Sequence, residues 1–108
     1  MNSQIPKIIH QIWVGDNPIP DYCKEFHLKM KQMHPDWEVN LWGNEIFTVY
    51  YPNDPFLSNY RKNAELYKWA FICDRIRLLL LRDYGGVYVD IDAEPIRSFN
   101  NVLSKLEP

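Results

Sequence analysis

Cysteine is scarce in this chain, with only Cys23 and Cys73 among 108 residues. The two lack the paired spacing of a zinc site or a redox dithiol, so both read as reduced thiols in a cytoplasmic setting. There is also no basic cluster. Twelve Lys and Arg are interspersed with fourteen Asp and Glu, for a net charge of −2. That balance removes the electrostatic footprint of a nucleic-acid binder or of a protein held on an anionic membrane. Apolar stretches such as residues 78–81 fall far short of the roughly 20 residues that a membrane-spanning helix needs. The opening Met1-Asn2-Ser3-Gln4-Ile5-Pro6 has no charged segment leading into an apolar run, and so no signal-peptide pattern. Internal repeats and low-complexity segments are absent.

What is present describes a folded domain. The composition is 46% hydrophobic, 15% aromatic and 24% charged, which is globular rather than disordered, and the length suits one domain. Residues 7–14 are rich in β-branched and aromatic side chains and stop at Gly15-Asp16-Asn17-Pro18, a strand followed by a turn. A helix is expected over 21–33, opened at Pro20-Asp21, with Leu28 and Met33 among its apolar positions. Residues 37–42 alternate as a second strand. Pro52, Asn53, Asp54 and Pro55 break 45–63 into a short helix and an irregular loop.

The spacing predicts one long helix over 64–84. Advancing about 100° per residue from Leu66, Ala70, Cys73, Leu80, Leu81 and Tyr84 gather on one side, with Lys68, Arg75 and Arg82 opposite. Gly85-Gly86 ends the helix, because glycine accepts the left-handed conformation of a helix C-terminus. A third strand is predicted over 87–92. Strand, helix, strand, helix, Gly-Gly, strand is the order of an α/β domain.

Three features of this order carry chemistry. Alternation along a strand over 87–92 would put Asp90 and Asp92 on one face at its carboxyl end, where open α/β sheets bind ligands. Two carboxylates held so close repel each other, and a cation between them relieves the repulsion. Hard oxygen ligands favour magnesium, manganese or calcium. Magnesium-type sites take one or two carboxylates and complete their shell with water and substrate phosphates, which points to a phosphorylated ligand. An Asp-x-Asp alone is a common tripeptide, and the EF-hand alternative fails for want of its glycine and later acids. Second, the helical count puts Arg77 near the centre of the apolar stripe, three residues from Asp74. That pair is either a buried ion pair fixing helix to sheet or a polar patch on a cleft. Third, Trp13 at the end of the first strand offers a ring that could stack on a base or pack in a core.

These segments together resemble one family. Ile5-Pro6-Lys7-Ile8-Ile9-His10-Gln11-Ile12-Trp13, His34-Pro35-Asp36-Trp37, Ala70-Phe71-Ile72-Cys73-Asp74-Arg75-Ile76-Arg77 and Tyr84-Gly85-Gly86-Val87-Tyr88-Val89-Asp90-Ile91-Asp92 follow the order and spacing of the DxD-containing glycosyltransferases. Yeast initiating α-mannosyltransferases, bacterial capsular polysaccharide transferases and clostridial glucosylating toxins represent the type. The resemblance implies a GT-A (Rossmann-like) fold, a nucleotide-diphosphate sugar donor, a carbohydrate or protein acceptor, a Mn2+ or Mg2+ cofactor and retention of anomeric configuration. By position it implies that Trp13 stacks on the base and that Asp74 and Arg77 hold the donor sugar, with Arg77 also near the diphosphate. Asp90 would contact the ribose or a metal-bound water, and Asp92 would ligate the metal directly, so that Arg77 and Asp92 carry the catalysis. The family usually has serine where this chain has Cys73, a weaker hydrogen-bonding group. Family domains also continue well beyond Asp92, so residues 1–108 are expected to be the donor-binding part of a larger domain. The alternative expectation is a non-catalytic relative that binds nucleotide sugar or metal without turnover.

Overall fold

Ile8–Ile12, a β-branched stretch, forms β1 at the centre of a parallel sheet that has three strands among the described residues. It pairs with β2 (Glu38–Trp42) from Ile8↔Glu38 to Ile12↔Trp42, and with β3 (Val87–Tyr88) at Ile9↔Val87 and His10↔Tyr88. This computed structural model describes residues 5–100, the side chains of residues 66 and 67 excepted. Residues 1–4, read above for a signal peptide, lie outside it. Helix α1 (Asp21–Met33) connects β1 to β2, while α2 (Tyr60–Tyr67) and α3 (Trp69–Tyr84) precede β3. A π-helical turn at Ile46–Tyr50 and a 3-10 turn at Leu57–Asn59 occupy the proline-broken stretch.

Parallel strands need helical crossovers, and these cover both faces of the sheet. Ile12 and Trp42 pack with Ile72, Ile76, Leu79 and Leu80 of α3. On the other face, Ile9 packs with Met30 of α1 and with Trp37. Each fully buried aliphatic side chain of this kind contributes about 1.5–3 kcal/mol of transfer free energy.

Buried polar groups tie the layers together. His10 is buried, and its Nδ1 accepts from the Trp42 indole N–H at 3.1 Å. Indole can only donate, so Nε2 carries the imidazole proton and donates to the Gly85 carbonyl at 2.8 Å. This bond fixes the end of α3 to the centre of the sheet. Gly85 caps the helix with φ +70°, its N–H bonded to Leu81 O. At Gly86, φ +93°, a Cβ would collide with the Ile8 carbonyl oxygen, so the backbone of β3 enters where only glycine fits.

Three expectations change. The helix predicted over 64–84 is two helices, separated at Lys68 with φ +75° and ψ 159°. A helical phase counted from Leu66 therefore does not carry into α3. Its buried residues are Ile72, Ile76, Leu79 and Leu80, so Arg77 is on the flank of the apolar stripe and not at its centre. The strand predicted over 87–92 ends at Tyr88. Residues 90–93 make a turn closed by the Ala93 N–H donating to Asp90 O at 3.1 Å, so strand alternation does not set the directions of Asp90 and Asp92.

Candidate functional site

The carboxyl ends of β1 and β3 and the first turns of α1 and α3 enclose a cleft of about 490 Å³. Trp13, Asp74, Asp90 and Asp92, all singled out from the sequence, line it together. Arg77 does not line it. Its guanidinium lies 5.6 Å from the centroid of the Tyr88 ring, and Tyr88 does face the cleft. Its N–H group is 3.6 Å from Asp74 Oδ1, and both side chains are substantially exposed, at 41% and 60%. The Asp74–Arg77 pair is thus solvated and is not a buried structural ion pair.

Trp13 sits just past β1, half-buried. Its indole N–H donates to the Asn17 carbonyl at 2.7 Å, which holds one edge of the ring against the following turn. The turn is itself clamped. Asn44 accepts from the Gly15 N–H and donates to the Gly15 carbonyl, both at 2.9 Å. Arg61 of α2 binds both carboxylate oxygens of Asp16, at 3.0 and 3.2 Å. A smaller cavity of about 180 Å³, walled by Gly15, Asn17 and Trp69, opens on Trp13 beside the main cleft.

Of three further residues that line the cleft, Tyr88, Cys73 and Tyr22, only Cys73, in the family's serine position, stands out in the sequence. Tyr88, to the sequence pattern only a strand residue, lines the cleft and carries the Arg77 guanidinium over its ring. Its phenol is pushed up by burial and then by a hydrogen bond with Asp90. Cys73, in the serine position, is pushed up by burial and by the neighbouring charges of Asp74 and Asp90. It therefore stays a neutral thiol and presents a weak donor to the cleft. Tyr22, at the opposite wall on α1, has its phenol pushed up by its hydrogen bond with Cys23 and, to a lesser extent, by Asp92. Adjacency on a wall formed by folding leaves no pattern along the chain, which is why periodicity misses Tyr22.

Three aspartates face the cleft and no Lys or Arg lines it; Arg77 meets its wall from outside, at Asp74 and over the Tyr88 ring. Among the described residues no set of three His, Cys, Asp or Glu groups completes a protein-only cage for a metal. Two exposed carboxylates at one turn, with room beside them, suit a hard divalent cation whose other ligands are water and phosphate. The donor set fits such an ion.

Comparison with known proteins decides the family. The family model described as "Glycosyltransferase sugar-binding region containing DXD motif" matches residues 20–107. The chain belongs to this glycosyltransferase family. It is 34% identical to mannosyl phosphorylinositol ceramide synthase SUR1 of Saccharomyces cerevisiae, over 96% of this chain and 28% of that protein. With inositol phosphoceramide mannosyltransferase 3 of Schizosaccharomyces pombe it shares 33% identity, over 94% of this chain and 28% of that protein. The chain thus spans little more than a quarter of the length of either relative. Among solved structures it is similar to the PaToxG glycosyltransferase, with a TM-score of 0.65 at 22% identity, covering 88% of this chain and 45% of that one. That likeness supports the expected GT-A-like fold, here as part of a domain. No helix among the described residues is long and apolar enough to cross a membrane.

Proposed function

We propose that this chain is the donor- and metal-binding part of a retaining glycosyltransferase that transfers a sugar from a nucleotide-diphosphate donor. The observation that carries this reading is the gathering of Trp13, Asp74, Asp90 and Asp92 in one cleft at the carboxyl end of a parallel sheet. Trp13 is assigned to the base, against the ring face that its bond to Asn17 leaves open. Asp74 accepts hydrogen bonds from sugar hydroxyls. Asp90 is assigned to the ribose or a metal-bound water, and Asp92 to the metal itself.

Electrostatics support the metal. A diphosphate approaching three carboxylates is repelled, and one arginine outside the cleft does not offset them. A bound Mn2+ or Mg2+ would neutralise charge growing on the diphosphate as it leaves. Arg77, over the Tyr88 ring and beside Asp74, would add a positive charge next to two residues of the cleft wall. The names of the yeast relatives suggest mannose as the sugar. The acceptor would be a carbohydrate or protein hydroxyl.

Binding of nucleotide-diphosphate mannoses, measured by calorimetry with and without manganese, tests the reading. Affinity should depend on the metal. Asp92→Asn should abolish that dependence, and Asp90→Asn should weaken it less. Wild-type affinity in Asp92→Asn would sink the metal assignment. A non-catalytic binder of nucleotide sugar or metal is the second reading. Metal-dependent binding without donor hydrolysis would favour it.

A further inference from the structure

A second concave surface runs along β2 at the edge of the described sheet and shares no lining residue with the aspartate cleft. It encloses about 380 Å³. Trp42 forms its floor, with the indole held by the bond to His10. Tyr50 meets the Trp42 ring edge-on at 4.9 Å between centroids, and Tyr84 lies tilted at 5.7 Å. Both tyrosines are nearly half exposed, at 46% and 44%, so aromatic surface faces the groove from two sides.

The polar lining carries one sign of charge. Glu38 and Glu45 contribute carboxylates, and no Lys, Arg or His lines the groove. Each carboxylate uses one oxygen locally. Glu38 Oε2 accepts from the Asn40 amide at 2.8 Å, and Glu45 Oε1 from the Gly43 N–H at 2.9 Å. These bonds hold the side chains in place and leave a second oxygen on each. Asp16, Asp36, Asp54 and Asp83 all have a Lys or Arg within ion-pair distance. Among the described residues, Glu38 and Glu45 do not. Aromatic rings present a negative face and attract cations, and the two carboxylates add to that preference, while an anion is excluded on both counts.

We propose that this groove binds an organic ammonium group, a ligand site separate from the donor cleft and independent of its assignment. The rings would receive the alkyl substituents of the cation, and the two glutamates would keep the potential along the groove negative. A free alkylammonium and the lysine side chain of a peptide share this chemistry.

The test is an NMR titration of the full chain with tetramethylammonium chloride against potassium chloride at equal ionic strength, in the absence of metal or nucleotide sugar. Saturable shifts of the Trp42 indole N–H and of the Tyr50 and Tyr84 amides are expected, with no such response to potassium. The double variant Glu38→Gln/Glu45→Gln keeps both local hydrogen bonds and the fold. It should weaken binding about fivefold or more, ~1 kcal/mol, as should Tyr50→Leu. A parallel titration with N-acetyl-lysine-methylamide identifies the source. Tighter binding than tetramethylammonium assigns the groove to a peptide lysine, and weaker binding to a free ammonium. Shifts that rise without saturation, that potassium reproduces, or that survive unchanged in both variants would overturn the proposal.

Discussion

Arg77 shows how one residue's position changes its meaning. A structural buried pair, broken from one side, costs about 3–5 kcal/mol because the abandoned charge stays buried. Here Asp74 and Arg77 are both open to solvent, and an exposed pair contributes at most about 1 kcal/mol. The guanidinium's place over Tyr88 adds a similarly small amount, about 0.5–1 kcal/mol. Arg77→Met should therefore lower stability by no more than about 2 kcal/mol in urea titrations, with weaker donor binding in calorimetry. A larger destabilisation with donor affinity intact would make Arg77 a fold residue. His27 makes a different, pH-linked prediction. Its Nδ1 is 2.6 Å from Gln11 Oε1 at the buried contact of α1 with β1. Burial, and then the charge of Lys31, hold the imidazole below its ordinary value. A folded pKa below the unfolded one, near 6.5, means the unfolded chain takes up the proton first. The contribution of His27 is thus complete above about pH 6.5 and is lost as the pH falls through that value toward the folded pKa. Thermal melts should show lower stability at pH 5.5 than at pH 7.5, roughly spanning that pKa, and His27→Gln should flatten the difference. An unchanged slope in the variant would assign it to other groups.

Helix α1 was legible over its full length, but its inward face was not. The sequence pattern pointed to Leu28 and Met33, whereas Cys23, His27 and Met30 are buried and Leu28 is 57% exposed. A buried histidine satisfied by a glutamine from the facing strand is a tertiary pairing, which periodicity does not register. The break between α2 and α3 is harder still to read. Lysine carries no turn signal, yet Lys68 holds φ +75° and ψ 159°, a region in which side chains are strained by about 1–3 kcal/mol. Lys68→Gly should therefore stabilise the fold by about 1 kcal/mol, seen as a higher denaturation midpoint with unchanged slope. A destabilised variant would mean that the lysine side chain makes compensating contacts. The Gly-Gly stop of α3, in contrast, was read correctly, because helix termination and the close approach to Ile8 both demand glycine at the same place. The strand after it was read too long. Alternation over 87–92 looks the same whether the chain runs on straight or turns at Asp90.

At the scale of the molecule, the order of the elements and a cleft at the carboxyl ends of the strands follow from the sequence pattern. A parallel α/β arrangement puts ligand groups at the carboxyl ends of its strands. The cleft lies there even though the aspartates reach it by a turn. The relative placement of Tyr22, Tyr88 and Cys73 around it depends on how α1 and α3 sit against the sheet, which no local pattern encodes. The sheet order β2-β1-β3 has a consequence for motion. The first strand in sequence is the middle one in space, so its backbone bonds connect to neighbours that lie some thirty and nearly eighty residues downstream. Fraying of one neighbour releases the bonds on one side only, and freeing β1 requires both neighbours to come away. In deuterated buffer the amides of Ile9 to Ile12 should accordingly exchange last, at a rate set by global unfolding. Those of the turn after β3, where the aspartates stand, should exchange through small local openings, leaving the proposed metal-binding turn free to adjust around a donor while the strand beneath it holds still.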